Sequence, residues 1–371
     1  MICSGASTGA QCGTQHRLFT MSLAKTLARR AVKSAPVMRL LGRFRPPGSP
    51  AFLTHRFKPT AQDPSPAYPV DVLDELLRRL KRAGFAFAPL HELLDRAQRG
   101  GRPVRDAVAF TVDDGYADFA ELALPVLTAY ACPATVFLAT GPVDGTAWFW
   151  WDQVDYIVRR TEARSVSALV APWRVAASWE AGEWEKQQAV ERLCEQLKLV
   201  PTRAMRALVR ALASEARVEL PQSAPDEYRM LTWDQVREAG NHGVTFGPHT
   251  VTHPVLSRCD DAEAANEIIV SAARLRAMSV LTCPVFCFPN GTPTDFGPRE
   301  LELVTRAGLR AAVSTSPGYI IPVAAGADAR VAFPRFHLPE SVHGALRVTS
   351  AYDVRLARVF GAFGLAAGAR D

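Results

Sequence analysis

Ala107-Val108-Ala109-Phe110-Thr111-Val112 runs directly into Asp113-Asp114-Gly115. A short apolar run bounded by a turn signal reads as a strand ending at its turn. The same rhythm extends in both directions. Upstream, Ala51–Thr54 reads as a strand. Val70–Ala83 is expected to be helical, with Val72, Leu73, Leu76, Leu77 and Leu80 on one face. Downstream, Tyr116–Tyr130 reads as a helix bent at Pro125, and Ala134–Leu138 as a strand. After residue 229 the alternation resumes. Thr232 is positioned to cap Trp233–Ala239. Val244–Phe246, Pro284–Phe288 and Arg310–Ser314 read as strands, separated by helices over Asp261–Met278 and Arg299–Ala307. Strand–helix alternation of this kind predicts an α/β fold with a parallel sheet, open or closed into a barrel.

Residues 141–229 break the rhythm. They hold six of the seven tryptophans and charged helical stretches such as Trp184–Leu199, so a largely helical insertion is expected. Its aromatic start, Trp148-Phe149-Trp150-Trp151, reads as packing before it reads as a sugar-stacking platform. The expected organisation is a basic arm over 1–48, a main domain over 49–345 carrying the 141–229 insertion, and a tail or helix over 346–371.

The net charge of +6 is unevenly placed. Residues 1–60 carry ten Lys/Arg and no Asp/Glu, which leaves 33 basic and 37 acidic residues in the rest. A mildly acidic body is a poor match for phosphate-rich partners, so no nucleic-acid binding is expected. In the arm, basic residues interrupt every apolar run, so no signal peptide is expected. Leu23, Leu27, Ala28 and Ala31 line a short basic stretch before Pro36, and residues 22–45 could touch anionic lipid. The plainer reading is a disordered leader, or a true start at Met21. With no stretch of 18 apolar residues and an odd cysteine count of seven, a cytoplasmic or membrane-surface location with reduced thiols is expected. Cys287 lies in a strand-like apolar run and reads as a buried thiol rather than a metal ligand.

Chemistry enters at the strand ends. Asp113-Asp114 follow the strand ending at Val112. His249 and His253, in Pro248-His249-Thr250-Val251-Thr252-His253-Pro254, follow the strand ending near Phe246. Pro289-Asn290-Gly291 follow the strand ending at Phe288. Barrel enzymes assemble their sites at this end of the sheet. One carboxylate and two imidazoles suit Zn²⁺ or a similar divalent ion, and a second carboxylate is then free to act as a base on bound water. Adjacent side chains on an extended backbone point apart, so the two aspartates can divide these roles only if the chain turns sharply at Gly115.

Phe110-Thr111-Val112-Asp113-Asp114-Gly115-Tyr116, His249-Thr250-Val251-Thr252-His253-Pro254 and Phe288-Pro289-Asn290-Gly291 together resemble the motifs of the polysaccharide deacetylase family, the NodB-homology or carbohydrate esterase family 4 group. The resemblance covers roughly residues 50–340, loosely over 141–229. It implies a distorted (β/α) barrel, often of seven strands. It also implies that Asp114, His249 and His253 hold the metal, Zn²⁺ first and Co²⁺, Ni²⁺ or Mn²⁺ as alternatives. Asp113 is then the base, and the substrate an N-acetylated sugar or glycan, polymeric or lipid-linked. Tyr116 matches the position that offers an amide to the oxyanion, and Pro289, Asn290 and Gly291 fall where substrate is bound. His55 and Arg56 resemble the family's first-strand element and are expected to line the opposite wall. Pro248 replaces a serine found in many members, and the usual general-acid motif is not evident. His337, followed by His343, is the best candidate for that acid, and Arg335 is the candidate anchor of Asp113. The rival expectations are hydrolysis of a non-sugar amide or cyclic ureide on the same fold, and a non-catalytic glycan-binding protein. The oligomeric state is left open.

Overall fold

The Ser49–Thr54 strand sits between two parallel neighbours in a computed structural model that describes residues 47–100, 102–280, 282–324 and 332–351. Leu53 stands opposite Thr111 of the Ala107–Val112 strand on one side and opposite His337 of the Phe336–His337 strand on the other. The parallel ladder continues from Ala107–Val112 to Ala134–Leu138, and from there to Thr245–Pro248. A second parallel sheet links Val285–Cys287, Ala311–Val313 and Ala332–Phe333. The two sheets meet at two places without a ladder. At one, Pro334-Arg335 joins Ala332–Phe333 to Phe336–His337, and proline has no N–H to give a sheet. At the other, the Cys283 N–H donates to the Phe246 carbonyl at 2.9 Å. The architecture is the expected α/β arrangement with a parallel central sheet, in the distorted (β/α) style, and among the described residues its ladders are not joined into one continuous cylinder.

Local sequence explains the elements that carry the site. All six residues of Ala107–Val112 are buried, as befits a parallel strand covered on both faces. Helix Val70–Arg82 turns Leu73, Leu76, Leu77 and Leu80 inward, each worth roughly 1.5–3 kcal/mol of burial. Thr232 caps helix Trp233–Asn241 in a reciprocal box with Gln235. Between Tyr116 and Tyr130 the helix opens into a wide π turn at Phe119–Ala123 before Leu124–Ala129 continues as α. Pro125, in the first turn of the α segment, cannot donate backward.

Residues 141–229 contain helices Trp150–Arg160, Glu183–Lys198 and Thr202–Glu215, which bury a core of their own around Val154, Leu193 and Leu208. They also contain an antiparallel hairpin, Ser165–Val170 with Trp173–Ser178, that the largely helical expectation lacked. The signal was a period of two: Val166 and Ala168 point inward, and Pro172 sits in the turn. Helix Val342–Thr349 straddles the expected boundary at 345 and buries Ala345 in the main core. The basic arm, including the stretch expected to touch lipid, lies outside the described residues. Among the described residues no helix is long and apolar enough to cross a membrane. Cys287 is a fully buried free thiol.

Candidate active site

The sharp turn after Val112 begins one residue earlier than Gly115. Asp113 still belongs to the sheet, its N–H donating to the Thr54 carbonyl at 2.9 Å. Asp114 then takes a left-handed φ of +76° and Gly115 one of +92°. Aspartate tolerates that region better than branched residues do. At Gly115 there is also no room, since a Cβ would stand 2.7 Å from Leu138 Cδ2. The consequence is a division of the pair: Asp113 meets Arg335, and Asp114 meets two histidines.

Asp114 Oδ1 lies 3.4 Å from His249 Nε2 and 3.5 Å from His253 Nε2, and all three side chains are buried. His249 leaves the Thr245–Pro248 strand with its N–H on the Leu138 carbonyl. Its Nδ1 donates to the Cys287 carbonyl at 2.8 Å, which fixes the ring with Nε2 toward Asp114. Burial lowers the His249 pKa, but Cys287, Asp114 and Asp113 outweigh it and raise it well above the ordinary value, so Nε2 carries a proton that a bound cation would displace. Burial, followed by the neighbouring His249, pushes His253 down to about 3, so its ring is neutral. Asp114 Oδ1 makes no hydrogen bond of ordinary geometry; what it faces are the two imidazole Nε2 atoms. An unsatisfied buried acceptor costs about 1–3 kcal/mol, more when charged, so this oxygen needs a cation. The spacing fits one: ligands ~2.0–2.1 Å from a tetrahedral zinc stand about 3.3–3.4 Å from each other. A donor set of two imidazoles and one carboxylate suits the same class of ion.

Beside this cluster, Arg335 grips Asp113 in a bidentate fork, Nη1 to Oδ1 at 2.7 Å and Nη2 to Oδ2 at 2.8 Å. Arg335 is fully buried, and its remaining donors reach Thr111 Oγ1, the Ser314 carbonyl and Cys287 Sγ. Burial alone raises the Asp113 pKa. The charge and hydrogen bonds of Arg335 outweigh it and hold the carboxyl well below the ordinary range. Cys287, expected only as a buried thiol, therefore has two roles here: its sulfur touches the ion pair and its carbonyl orients His249.

The two groups open onto one cavity of about 610 Å³, which reaches from the sheet into the 141–229 insertion. His55 and His337 stack across it with ring centroids 6.5 Å apart. Burial, then His55 and Arg335, lower the His337 pKa below its ordinary value. Arg56 lies 4.2 Å over the Tyr116 ring and pairs with Asp118 at 2.6 Å. Asn290 lines the cavity with a left-handed φ of +57°, and its amide nitrogen has no partner. Pro289 and Gly291 are buried in the same turn and do not line it, and His343 is exposed on the Val342–Thr349 helix.

Sequence reading missed the insertion's share of this wall. The Tyr116 hydroxyl donates to Asp152 at 2.8 Å and accepts from Trp151 Nε1 at 3.0 Å. The Trp151 ring stacks on Phe149 at 4.2 Å and stands edge-on to His253 at 4.6 Å. The aromatic segment therefore packs, as expected, and also walls the histidine cluster. Asp152 is pushed up to about 8, first by burial, with Asp114 and Asp155 adding to it against Tyr116 and Arg56. Its lone position in a helix offered no sequence signal.

A family model described as "Polysaccharide deacetylase" matches residues 100–168 and 174–312, more than half of the chain. The break between the two segments falls at the tip of the hairpin. Solved structures share the fold, and two of them are representative. The Streptococcus pyogenes deacetylase PplD, in complex with acetate, is 17% identical, with 81% of this chain and 97% of that chain covered at a TM-score of 0.51. IcaB from Ammonifex degensii is 16% identical, with 82% and 98% covered at a TM-score of 0.52. No curated protein matches the chain in sequence.

Proposed function

Because this chain belongs to the polysaccharide deacetylase family, hydrolases acting on non-peptide C–N bonds, we propose that it removes an N-acetyl group from an amino sugar in a glycan or lipid-linked glycan, and that it does so with a divalent metal. The observation that carries the reading is the convergence of Asp114, His249 and His253 on an oxygen without a hydrogen bond of ordinary geometry, beside the Asp113–Arg335 pair. Asp114, His249 and His253 would hold the ion, Zn²⁺ first, with Co²⁺, Ni²⁺ and Mn²⁺ to compare. When bound, the ion supplies Lewis acidity toward the amide carbonyl and toward water.

The protein's own groups do the rest. Asp113, kept ionised by Arg335, takes a proton from the attacking water, whose oxygen forms the new bond to the carbonyl carbon. The Tyr116 amide and the free Asn290 amide group are the donors available to the oxyanion. His337, whose lowered pKa makes its protonated ring a stronger acid, gives a proton to the nitrogen as the C–N bond breaks. Acetic acid, which ionises to acetate, and a free amine leave, and the proton taken up by Asp113 returns to His337 to reset the pair. Arg335 acts through Asp113 and touches no substrate. His55 and Arg56 form the facing wall.

Acetate release from N-acetylglucosamine oligomers, set against hydrolysis of small imides, separates this reading from the cyclic-ureide alternative. Asp113→Asn is expected to abolish turnover with metal retained, whereas Asp114→Ala and His253→Ala lose the metal by elemental analysis. Near-normal activity in Asp113→Asn would show that Asp113 is not the base. Absence of hydrolysis with a loaded site would favour a glycan-binding role.

A further inference from the structure

We propose that Glu267 is the positioning residue of the histidine loop, setting the separation of His249 and His253 through the backbone between them. The inference rests on reading those histidines as metal ligands. Glu267 lies on helix Asp261–Ala277, remote from both in sequence, and is 4% exposed. A buried carboxylate must be satisfied, and here the loop satisfies it. Its Oε2 accepts the N–H groups of Val251 and Thr252, both at 2.8 Å, and its Oε1 accepts the Thr252 hydroxyl at 2.6 Å.

The bonded residues lie between the two histidines, and the loop does not hold its shape by local preference. Thr250 has φ +68° and His253 φ +57°, a region costly for a branched side chain. One oxygen taking two successive N–H groups fixes the backbone between those residues. On the other side, Thr140 and Gly141 donate to the carbonyls of Thr250 and Val251. The insertion closes the arrangement: Arg206, on helix Thr202–Glu215, donates to Thr252 Oγ1 at 2.8 Å and stands 3.6 Å from Glu267. The loop is thus held from three elements, and Glu267 supplies three of the bonds.

Geometry and charge can be separated by substitution. Glu267→Gln removes the charge and keeps the shape, because an amide oxygen can accept both N–H groups while its nitrogen donates to Thr252 Oγ1. Glu267→Asp keeps the charge and shortens the reach by one methylene. The full chain and both variants are stripped with chelator, checked by circular dichroism for fold, and titrated with Zn²⁺ against a chromophoric chelator. Co²⁺ absorption reports ligand geometry independently. Glu267→Gln is expected to bind Zn²⁺ within about threefold of the parent with the same Co²⁺ spectrum. Glu267→Asp should bind roughly 10–100-fold more weakly with an altered spectrum, the range set by loss of a ligand-orienting partner. Parent-like affinity in Glu267→Asp, or equal losses in both variants, overturns the proposal. If the parent chain itself binds neither ion, the ligand assignment of Asp114, His249 and His253 falls, and this inference with it.

Discussion

Replacing Asp152 by asparagine probes the electrostatics of the cavity directly. Asp152 is 6% exposed, and in the folded protein its pKa is raised to about 8, with burial as the largest cause. In the unfolded chain an aspartate titrates near ~3.9. Below about pH 4 both states hold the proton and the group adds no pH dependence. Between about 4 and 8 the folded state keeps a proton that the unfolded state has released, so stability falls as pH rises. The slope approaches ~1.4 kcal/mol per pH unit, and the loss is complete only above the folded-state pKa. Across that window the cost is on the order of several kcal/mol. The substituted amide does not titrate, yet its side-chain oxygen can still accept the Tyr116 hydroxyl. Asp152→Asn should therefore gain stability on the parent steadily from pH 5 to about pH 8 and level off above it. The assay is urea unfolding of both proteins at several pH values in chelator, where the difference curve cancels the titrating groups that do not interact with Asp152. Adding Zn²⁺ should flatten the parent's slope, because a cation at Asp114 favours ionised Asp152. Parallel stability curves for the two proteins would refute the account.

Arg335→Leu leaves Asp113 buried and unpaired, and should cost about 3–5 kcal/mol in urea unfolding. Arg335→Lys should restore only part of this, because an ammonium cannot reproduce the two parallel bonds of the fork. His337→Gln should lower kcat by roughly 10²–10⁴ in an acetate-release assay while metal content, measured on the same sample, stays at the parent's level. Gly115→Ala should cost at least about 1 kcal/mol in thermal unfolding, given φ +92° and the 2.7 Å approach to Leu138.

Much of the fold was legible because hydrophobic periodicity is a local property. Ala107–Val112 and Ala134–Leu138 appear at the expected residues, and Val70–Arg82 and Asp261–Ala277 end within a residue of the expected bounds. The hairpin at Ser165–Ser178 was overlooked because the charged helical stretches around it dominate the composition, although its alternation was present. The break at Pro334-Arg335 had a signal in the proline, but nothing local showed that the chain there passes from one sheet to another.

The site divides in the same way. By itself the sequence determined which residues can do chemistry, since Asp-Asp at one strand end and His-x₃-His at another are readable as residue types with spacing. It also placed them at one end of a parallel sheet, because strand–helix alternation makes every strand end at that face. The family resemblance implied which aspartate meets the histidines and which meets Arg335; the physical cause of that division, a left-handed turn that starts at Asp114 itself, is visible only in the tertiary structure. The tertiary structure alone brought Trp151 and Arg206 from the insertion and Glu267 from a distant helix around the histidine loop, and Asp152 onto the Tyr116 hydroxyl. These contacts join residues far apart in the chain, and burial gives them their strength: once water is excluded, each lone carboxylate must find a partner wherever the fold supplies one.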